Sequence, residues 1–294
     1  MTVATGAVLI LGGGGYVGSA LAPYLRGHGA DVACIDSGLR PGPGDGRTPR
    51  DYRDLTADEL SRFGSVVLLA GHSSVPACDR DPQAAFANNV AGFVGLVHKL
   101  RGQRLVYASS SSVYVDTGGR PAAEDEPLPE PASHYDLHKR MIEQYARLAY
   151  PRSYALRLGT VCGPSPNLRT DLLLNSLVRL ALTEGRARVA NRAAHRPLLG
   201  MNDLCRAVEA LLAGEAEPGA YNLASVNATV GAVADYVAGR FGVPCVAADA
   251  PTRYDMAVST EKFTRATGLA FRDTVAGLTD ELAAALAPAT PGPR

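Results

Sequence analysis

The chain has 294 residues, 46% of them hydrophobic and 20% charged, and its 29 basic and 29 acidic side chains balance to a formal net charge of zero. That length suits one large α/β domain, or a nucleotide-binding domain carrying a smaller cap; the charge balance gives no electrostatic case for nucleic acid or an anionic membrane as partner. Five scattered cysteines without a CxxC pair fit reduced thiols in a cytosol, and no histidine cluster suggests a metal. The N-terminal "MTVATGAVLILGGGG" has no basic n-region, and its apolar run is too short to span a bilayer. It reads as a first strand of a cytoplasmic protein.

In chain order, "AVLILG" (7–12) is the first predicted strand and "GSALAPYLRGHG" (18–29) the first helix. Between them, Gly13, Gly15 and Gly18 satisfy G-x-G-x-x-G, and Gly12, Gly15 and Gly18 the looser G-x-x-G-x-x-G. Glycine is required where a Cβ would block the tight turn, the approach of a pyrophosphate, or helix–strand packing. The second strand, "DVACID" (31–36), ends on Asp36, where a ribose 2′-hydroxyl needs an acceptor and a 2′-phosphate would be repelled. NAD is therefore expected rather than NADP, with Arg40 nearby as the counter-signal. The stretch 40–54 is rich in Gly, Pro and Arg and reads as irregular. In it, Asp54 is either a partner for the adenine amino group or a solvated carboxylate.

Further strands are expected at 65–71, 104–110 and 153–159, alternating with helices at 82–102 and 134–150, the pattern of βαβ units and a parallel sheet. "ASSSSVY" (108–114) puts hydroxyls at the carboxyl end of a strand, where Ser110 can point into a ligand crevice. In "SHYDLHKRMIEQ" (133–144), Tyr135 and Lys139 stand one helical turn apart on one face. Ser133 is the expected N-cap, with Asp136 completing a capping box. Lys139 is one of only three lysines in the chain. An ammonium beside a phenol lowers its pKa from about 10 toward that of a usable base, and a slim amine can also hold ribose hydroxyls. His72, past the strand at 65–71, either approaches the nicotinamide or substrate or is a hydrogen-bonded structural histidine, and Tyr16, Tyr107 and Tyr114 are read as packing residues rather than acids. After Pro164 the alternation weakens, giving a dinucleotide domain over 1–164, to which segments near 196–224 return, and a mainly substrate-binding cap over 165–294.

Together these residues resemble the extended short-chain dehydrogenase/reductases, in particular the nucleotide-sugar epimerase/dehydratase branch. "LAGHSSVPACDRDPQAAFANNVAGFVGLV" looks like that branch's fourth strand and next helix, with Asn89 in its N-V-x-G position. "ALRLGTVCGP" resembles A-L-R-x-x-x-V-Y-G-P, and "HRPLLGMNDLCRAVEALL" resembles R-x-x-x-H-V-x-D with its helix. The resemblance implies a Rossmann-type doubly wound parallel sheet with a smaller C-terminal cap, and a catalytic trio of Tyr135, Lys139 and Ser110. It implies NAD along Gly12, Gly15, Tyr16, Val17, Gly18, Asp36, Asp54, Leu55, Leu69, Ala70 and Lys139. A nucleoside-diphosphate sugar would lie along Ser110, Ser111, Thr160, Asn175, Arg196 and Arg253, and the helices at 82–102 and 134–150 would form a homodimer. Ser111 and Ser112 replace the acids that dehydratases of the branch carry before V-Y, which disfavours elimination. Cys162 and Gly200-Met201 replace the tyrosine of V-Y-G-P and the H-V pair. The implied activity is NAD-dependent epimerisation at C4 through a keto sugar. An NAD(P)H-dependent ketoreductase and a catalytically silent dinucleotide-binding protein are the alternatives.

Overall fold

Strand residues alternate between two hydrophobic cores, and the architecture follows from that alternation. The computed structural model describes residues 6–38, 47–214, 216–248 and 254–287. At its centre lie β1 (Val8–Leu11), β2 (Val32–Asp36), β3 (Arg47–Pro49), β4 (Ser65–Leu68), β5 (Arg104–Ser110), β6 (Ser153–Leu158) and β7 (Gly219–Leu223). Every neighbouring pair is parallel, in the order β3-β2-β1-β4-β5-β6-β7. This is the doubly wound Rossmann order, extended by one strand.

Val8, Ile10, Val67, Val106 and Leu156 face the core shared with helix α1 (Tyr16–Gly27) and the helix Met201–Ala213. Leu9, Leu11, Val66, Leu105 and Ala155 face the opposite core, shared with α2 (Gly92–Lys99) and α3 (His134–Ala149). The strand order reverses between β1 and β4, so the crevice outside their carboxyl ends is the place where such sheets take ligands. The helix expected over 82–102 is broken: Pro82–Phe86 leads into a π-turn at Ala87–Ala91 before α2 begins. The stretch expected to be irregular contains β3 and a 3-10 turn at Tyr52–Asp54. An edge strand tolerates Pro49, because its missing N–H costs no central ladder bond. Arg40 lies outside the described residues.

A third core lies between the helices Leu173–Glu184, Val230–Phe241 and Val275–Leu286, built on Leu174, Leu177, Val233, Val237 and Leu278. Beside it, Thr160–Cys162, His195–Gly200 and Val226–Thr229 form a three-stranded sheet. Two-stranded parallel pairs join Asp116–Ala122 to Asp255–Val258 and Ala187–Val189 to Cys245–Ala247. Among the described residues, no helix is long and apolar enough to cross a membrane.

Candidate active site

Two of the cradle glycines are demanded by the fold itself. Gly12 has φ +93°, and a Cβ there would sit 2.5 Å from the Ala70 nitrogen; at Gly18 it would sit 2.2 Å from the Gly12 oxygen. Gly15 is different. It caps the N-terminus of α1, and a Cβ there would meet only the Gly12 oxygen, at an ordinary 3.4 Å. The protein therefore leaves open the space in front of the helix N–H groups, which fits a pyrophosphate. Asp36 braces the turn: Gly14 N donates to its Oδ2 at 2.9 Å and Gly38 N to its Oδ1 at 3.1 Å. Leu69 and Ala70 donate backbone N–H groups to the Leu11 oxygen at 2.8 and 2.9 Å, so the β4 end closes against the glycine turn. Val17 is half-buried in the first turn of α1, Leu55 is buried, and Asp54 is exposed at the end of the 3-10 turn. The Tyr16 side chain does not line the cradle. Its buried hydroxyl donates to the Gly163 oxygen at 2.7 Å, and burial pushes the phenol well above its ordinary pKa.

Ser133 caps α3, accepting from Asp136 N at 3.2 Å, and so sets Tyr135 in the first turn. The other half of the expected capping box does not form. Asp136 is fully buried, and its Oδ2 takes hydrogen bonds from the Ser133 hydroxyl at 2.8 Å and the Tyr254 hydroxyl at 2.9 Å. Lys139 lies over the Tyr135 ring, with Nζ 5.5 Å from the centroid, and donates to the Ala108 oxygen at 2.6 Å. Ser110 ends β5, where its Oγ is 2.8 Å from the Ser112 Oγ and accepts from Ser112 N at 3.1 Å; its hydroxyl lies near enough to Tyr135 to lower the phenol's pKa. The trio is thus brought together at the carboxyl end of β5.

The electrostatics differ from the expectation of an acidic phenol held by its lysine. Burial pushes Tyr135 up to about 12; the Ser110 hydrogen bond and the Arg169 charge pull it down, while Cys78 and Asp136 add to the rise. Burial also lowers Lys139 to about 8, opposed by the charges of Cys78 and Glu143. In the protein alone, desolvation outweighs the ammonium's effect on the phenol.

On the sugar side the outcome is mixed. Asn175 is fully buried and spent internally: its Oδ1 accepts from Gly163 N at 3.2 Å, and its Nδ2 donates to the Tyr16 hydroxyl at 3.0 Å and the Arg169 oxygen at 2.8 Å. That removes it from the expected substrate contacts. Ser111 is buried in the turn Ser111–Tyr114, leaving Ser110 as the more accessible hydroxyl. Thr160 is half-buried at the start of its strand, paired with Leu198. Arg196 donates to the His195 and Tyr254 oxygens and lies over the Tyr254 ring, tying that segment toward the start of α3. Arg253 lies outside the described residues. Cys162 is buried and inert, its thiol pushed far up by desolvation. At Gly200 a Cβ would come within 2.0 Å of Asp273 Oδ2, which explains why no histidine stands in the H-V position.

Four residues around the site carry roles that the motif reading did not give them. Asn89, in the π-turn, accepts from His72 N at 2.7 Å and donates to the His72 oxygen at 3.1 Å, fixing the loop after β4. Its N-V-x-G position was the available signal. Arg157 and Glu143 form a buried ion pair at 2.8 Å behind Lys139. Arg169, one of 26 arginines, reaches Ser73 on that same loop; nothing local in the sequence distinguishes it.

Comparisons with known proteins show what the chain as a whole is similar to. The UDP-glucose 4-epimerase of Corynebacterium glutamicum is 33% identical over 159 residues, which is 51% of this chain and 48% of that protein. The chain spans about half the length of the curated relatives it matches in this way. Among solved structures, MoeE5 in complex with UDP-glucuronic acid and NAD superposes with a TM-score of 0.82 at 25% identity, covering 94% of this chain and 97% of that one. The NAD-dependent NDP-hexosamine 5,6-dehydratase TunA superposes at 0.85 with 23% identity, over 95% and 97% of the two chains, a likeness of fold. The sequence model of the NAD dependent epimerase/dehydratase family matches residues 8–224, and with the glycine cradle, the parallel sheet and the Ser110, Tyr135 and Lys139 cluster all within that span, the chain belongs to this family.

Proposed function

We propose that the chain is an NAD-dependent nucleotide-sugar epimerase acting at C4, with Tyr135 as general base. The observation that carries this reading is the cluster itself: Lys139 over the Tyr135 ring and bonded to the Ala108 oxygen of β5, with Ser110 two residues on at the end of that strand, in the sheet that holds the open glycine cradle. The α1 N-terminus at Gly15 holds the pyrophosphate and Asp36 the adenosine ribose, with Val17, Asp54, Leu55, Leu69 and Ala70 alongside; Lys139 holds the nicotinamide ribose. NAD, when bound, would supply the acceptor that takes the C4 hydride and the donor that gives the same hydride back to the other face of the ketone, with a positively charged ring near the phenol in its oxidised form.

Tyr135 removes the proton of the sugar 4-hydroxyl, and Ser110 donates to the same oxygen and keeps it aligned. The resulting 4-keto sugar turns in the site, and Tyr135 returns the proton to the alkoxide formed on its other face. Thr160 and Arg196 remain the described candidates for holding the nucleotide sugar. The acids an elimination requires are absent from positions 111 and 112. A panel of UDP-, GDP- and dTDP-sugars, incubated with and without NADH, tests this. Isomerised sugar without net NADH use is the expected result, and substrate-dependent NADH consumption without isomer overturns it in favour of a ketoreductase.

The same reading includes a homodimer through Pro82–Lys99 and α3, whose Phe86 (44% exposed), Leu137 (41%) and Leu148 (83%) are large apolar side chains facing solvent. Sedimentation as a monomer at working concentration overturns that part.

A further inference from the structure

The segment from Gly163 to Arg169 crosses the dinucleotide crevice and is bonded on both banks. On the β1 side, the Ser165 hydroxyl donates to the Tyr16 oxygen at 2.6 Å and lies 2.9 Å from Ser19 Oγ; the Asn167 amide donates to the Gly14 oxygen, and Tyr16 donates to the Gly163 oxygen at 2.7 Å. On the β4 side, Arg169 Nη1 donates to the Ser73 hydroxyl at 3.2 Å and the Ser73 oxygen at 3.3 Å. Asp171 holds the rest of the guanidinium, at 2.6 Å from Nη2 and 3.1 Å from Nε, and the Arg169 side chain is only 16% exposed. Gly14 and Tyr16 follow β1 and Ser73 follows β4. These are the two strands between which the order reverses, so the segment spans the crevice where a dinucleotide lies in such sheets.

We propose that Gly163–Arg169 is a strap over the bound cofactor and that Arg169 is its lock, a positioning residue that sets how fast the dinucleotide leaves. The inference rests on the NAD-dependent reading above and deepens it. An epimerase returns its hydride within each cycle and gains from keeping the cofactor, whereas a reductase must exchange it. The two banks differ in kind. The β1 side is held by neutral hydrogen bonds, two of them donated by the Ser165 hydroxyl and the Asn167 amide to backbone oxygens, whose loss alone is modest, whereas the β4 side depends on a charged donor. The strap therefore opens from the Ser73 end, hinging on Ser165 and Asn167. Its closure also places the Arg169 charge where it lowers the pKa of Tyr135.

The test loads the full-length protein with NAD, mixes it with an excess of alcohol dehydrogenase and ethanol, and follows reduction of each NAD as it is released. Arg169→Ala is expected to speed release about 10- to 100-fold and Ser73→Ala a few-fold, with Arg169→Lys in between. Unchanged thermal midpoints establish that the variants are folded, and Ser73→Ala, a small exposed change, serves if Arg169→Ala is not. Release from Arg169→Ala or Ser73→Ala no faster than from the wild type overturns the strap and leaves the NAD-dependent reading standing. A wild-type protein that binds no NAD overturns both.

Discussion

The cradle and the sugar side of the crevice teach opposite lessons about how function is written into a chain. In the cradle, backbone geometry leaves no freedom: Gly12 and Gly18 have no room for a Cβ, and Gly15 has room that the protein does not use. The requirement falls on residue type at fixed spacing, so it is visible in one dimension. On the sugar side the same kinds of polar residue are spent on holding the cap together. Asn175 satisfies Gly163, Tyr16 and Arg169, and Arg196 holds the Tyr254 segment. A polar side chain can bond to substrate or to its own fold, and sequence does not say which.

The sharpest way to break this contrast is at the reacting atoms. Tyr135→Phe should lower turnover by about 100- to 10,000-fold, the range of a lost general base, while NAD content measured after gel filtration stays at the wild-type level. Unchanged turnover removes the catalytic assignment and leaves a dinucleotide-binding fold. The cradle comes next. Gly15→Ala should keep the thermal midpoint within a degree or two, because its Cβ meets only ordinary contact. It should nevertheless weaken NAD on the order of 10- to 100-fold by crowding the helix N-terminus. If calorimetric titration gives equal affinities, the open space at Gly15 is not the phosphate site.

Much of the fold was legible because continuous apolar runs of strand length alternate with 3.6-period helices through much of the first 160 residues. Five strands of the central sheet were foreseen in order. β3 was not, since a three-residue edge strand in a run of Gly, Pro and Arg carries no periodicity, and β7 was foreseen only as a returning segment through family likeness. The cluster of Ser110, Tyr135 and Lys139 was readable because a strand end and a helical i,i+4 spacing fix direction. What was lost is long-range. The Tyr16 ring turns away to Gly163, and Asp136 takes Tyr254 in place of the Ser133 backbone. Arg169 meets Ser73 across 96 positions. Nor did the Lys139 spacing reveal that burial would dominate both pKa values, since desolvation depends on what packs around the pair.

The sugar side supplies a smaller effect of a different kind. Asn175→Ala strands the Gly163 N–H and withdraws a donor from the Tyr16 hydroxyl, both buried. Stability measured by urea unfolding should fall by about 1–3 kcal/mol. The KM for whichever nucleotide sugar turns over should change little. A KM raised tenfold at unchanged stability would return Asn175 to the substrate site and erase the contrast.

The smallest expected effect lies in the pH dependence of Lys139, held near 8 by burial. Its ammonium is lost as pH rises through that value, so the rate should have an alkaline limb near pH 8. Lys139→Arg, charged throughout, should retain less activity at neutral pH but lack that limb. Stability moves the other way. The unfolded lysine titrates near about 10.4, so between roughly pH 8 and 10 the unfolded chain binds more protons and this residue's contribution to stability rises with pH. Conversely, that contribution is lost as pH falls through the folded value. The difference in unfolding free energy between the wild type and Lys139→Met should therefore shift in favour of the wild type across the same window in which turnover declines. If the two fall together, the amine is not the buried, readily neutralised group that the geometry around Ala108 and Tyr135 makes it.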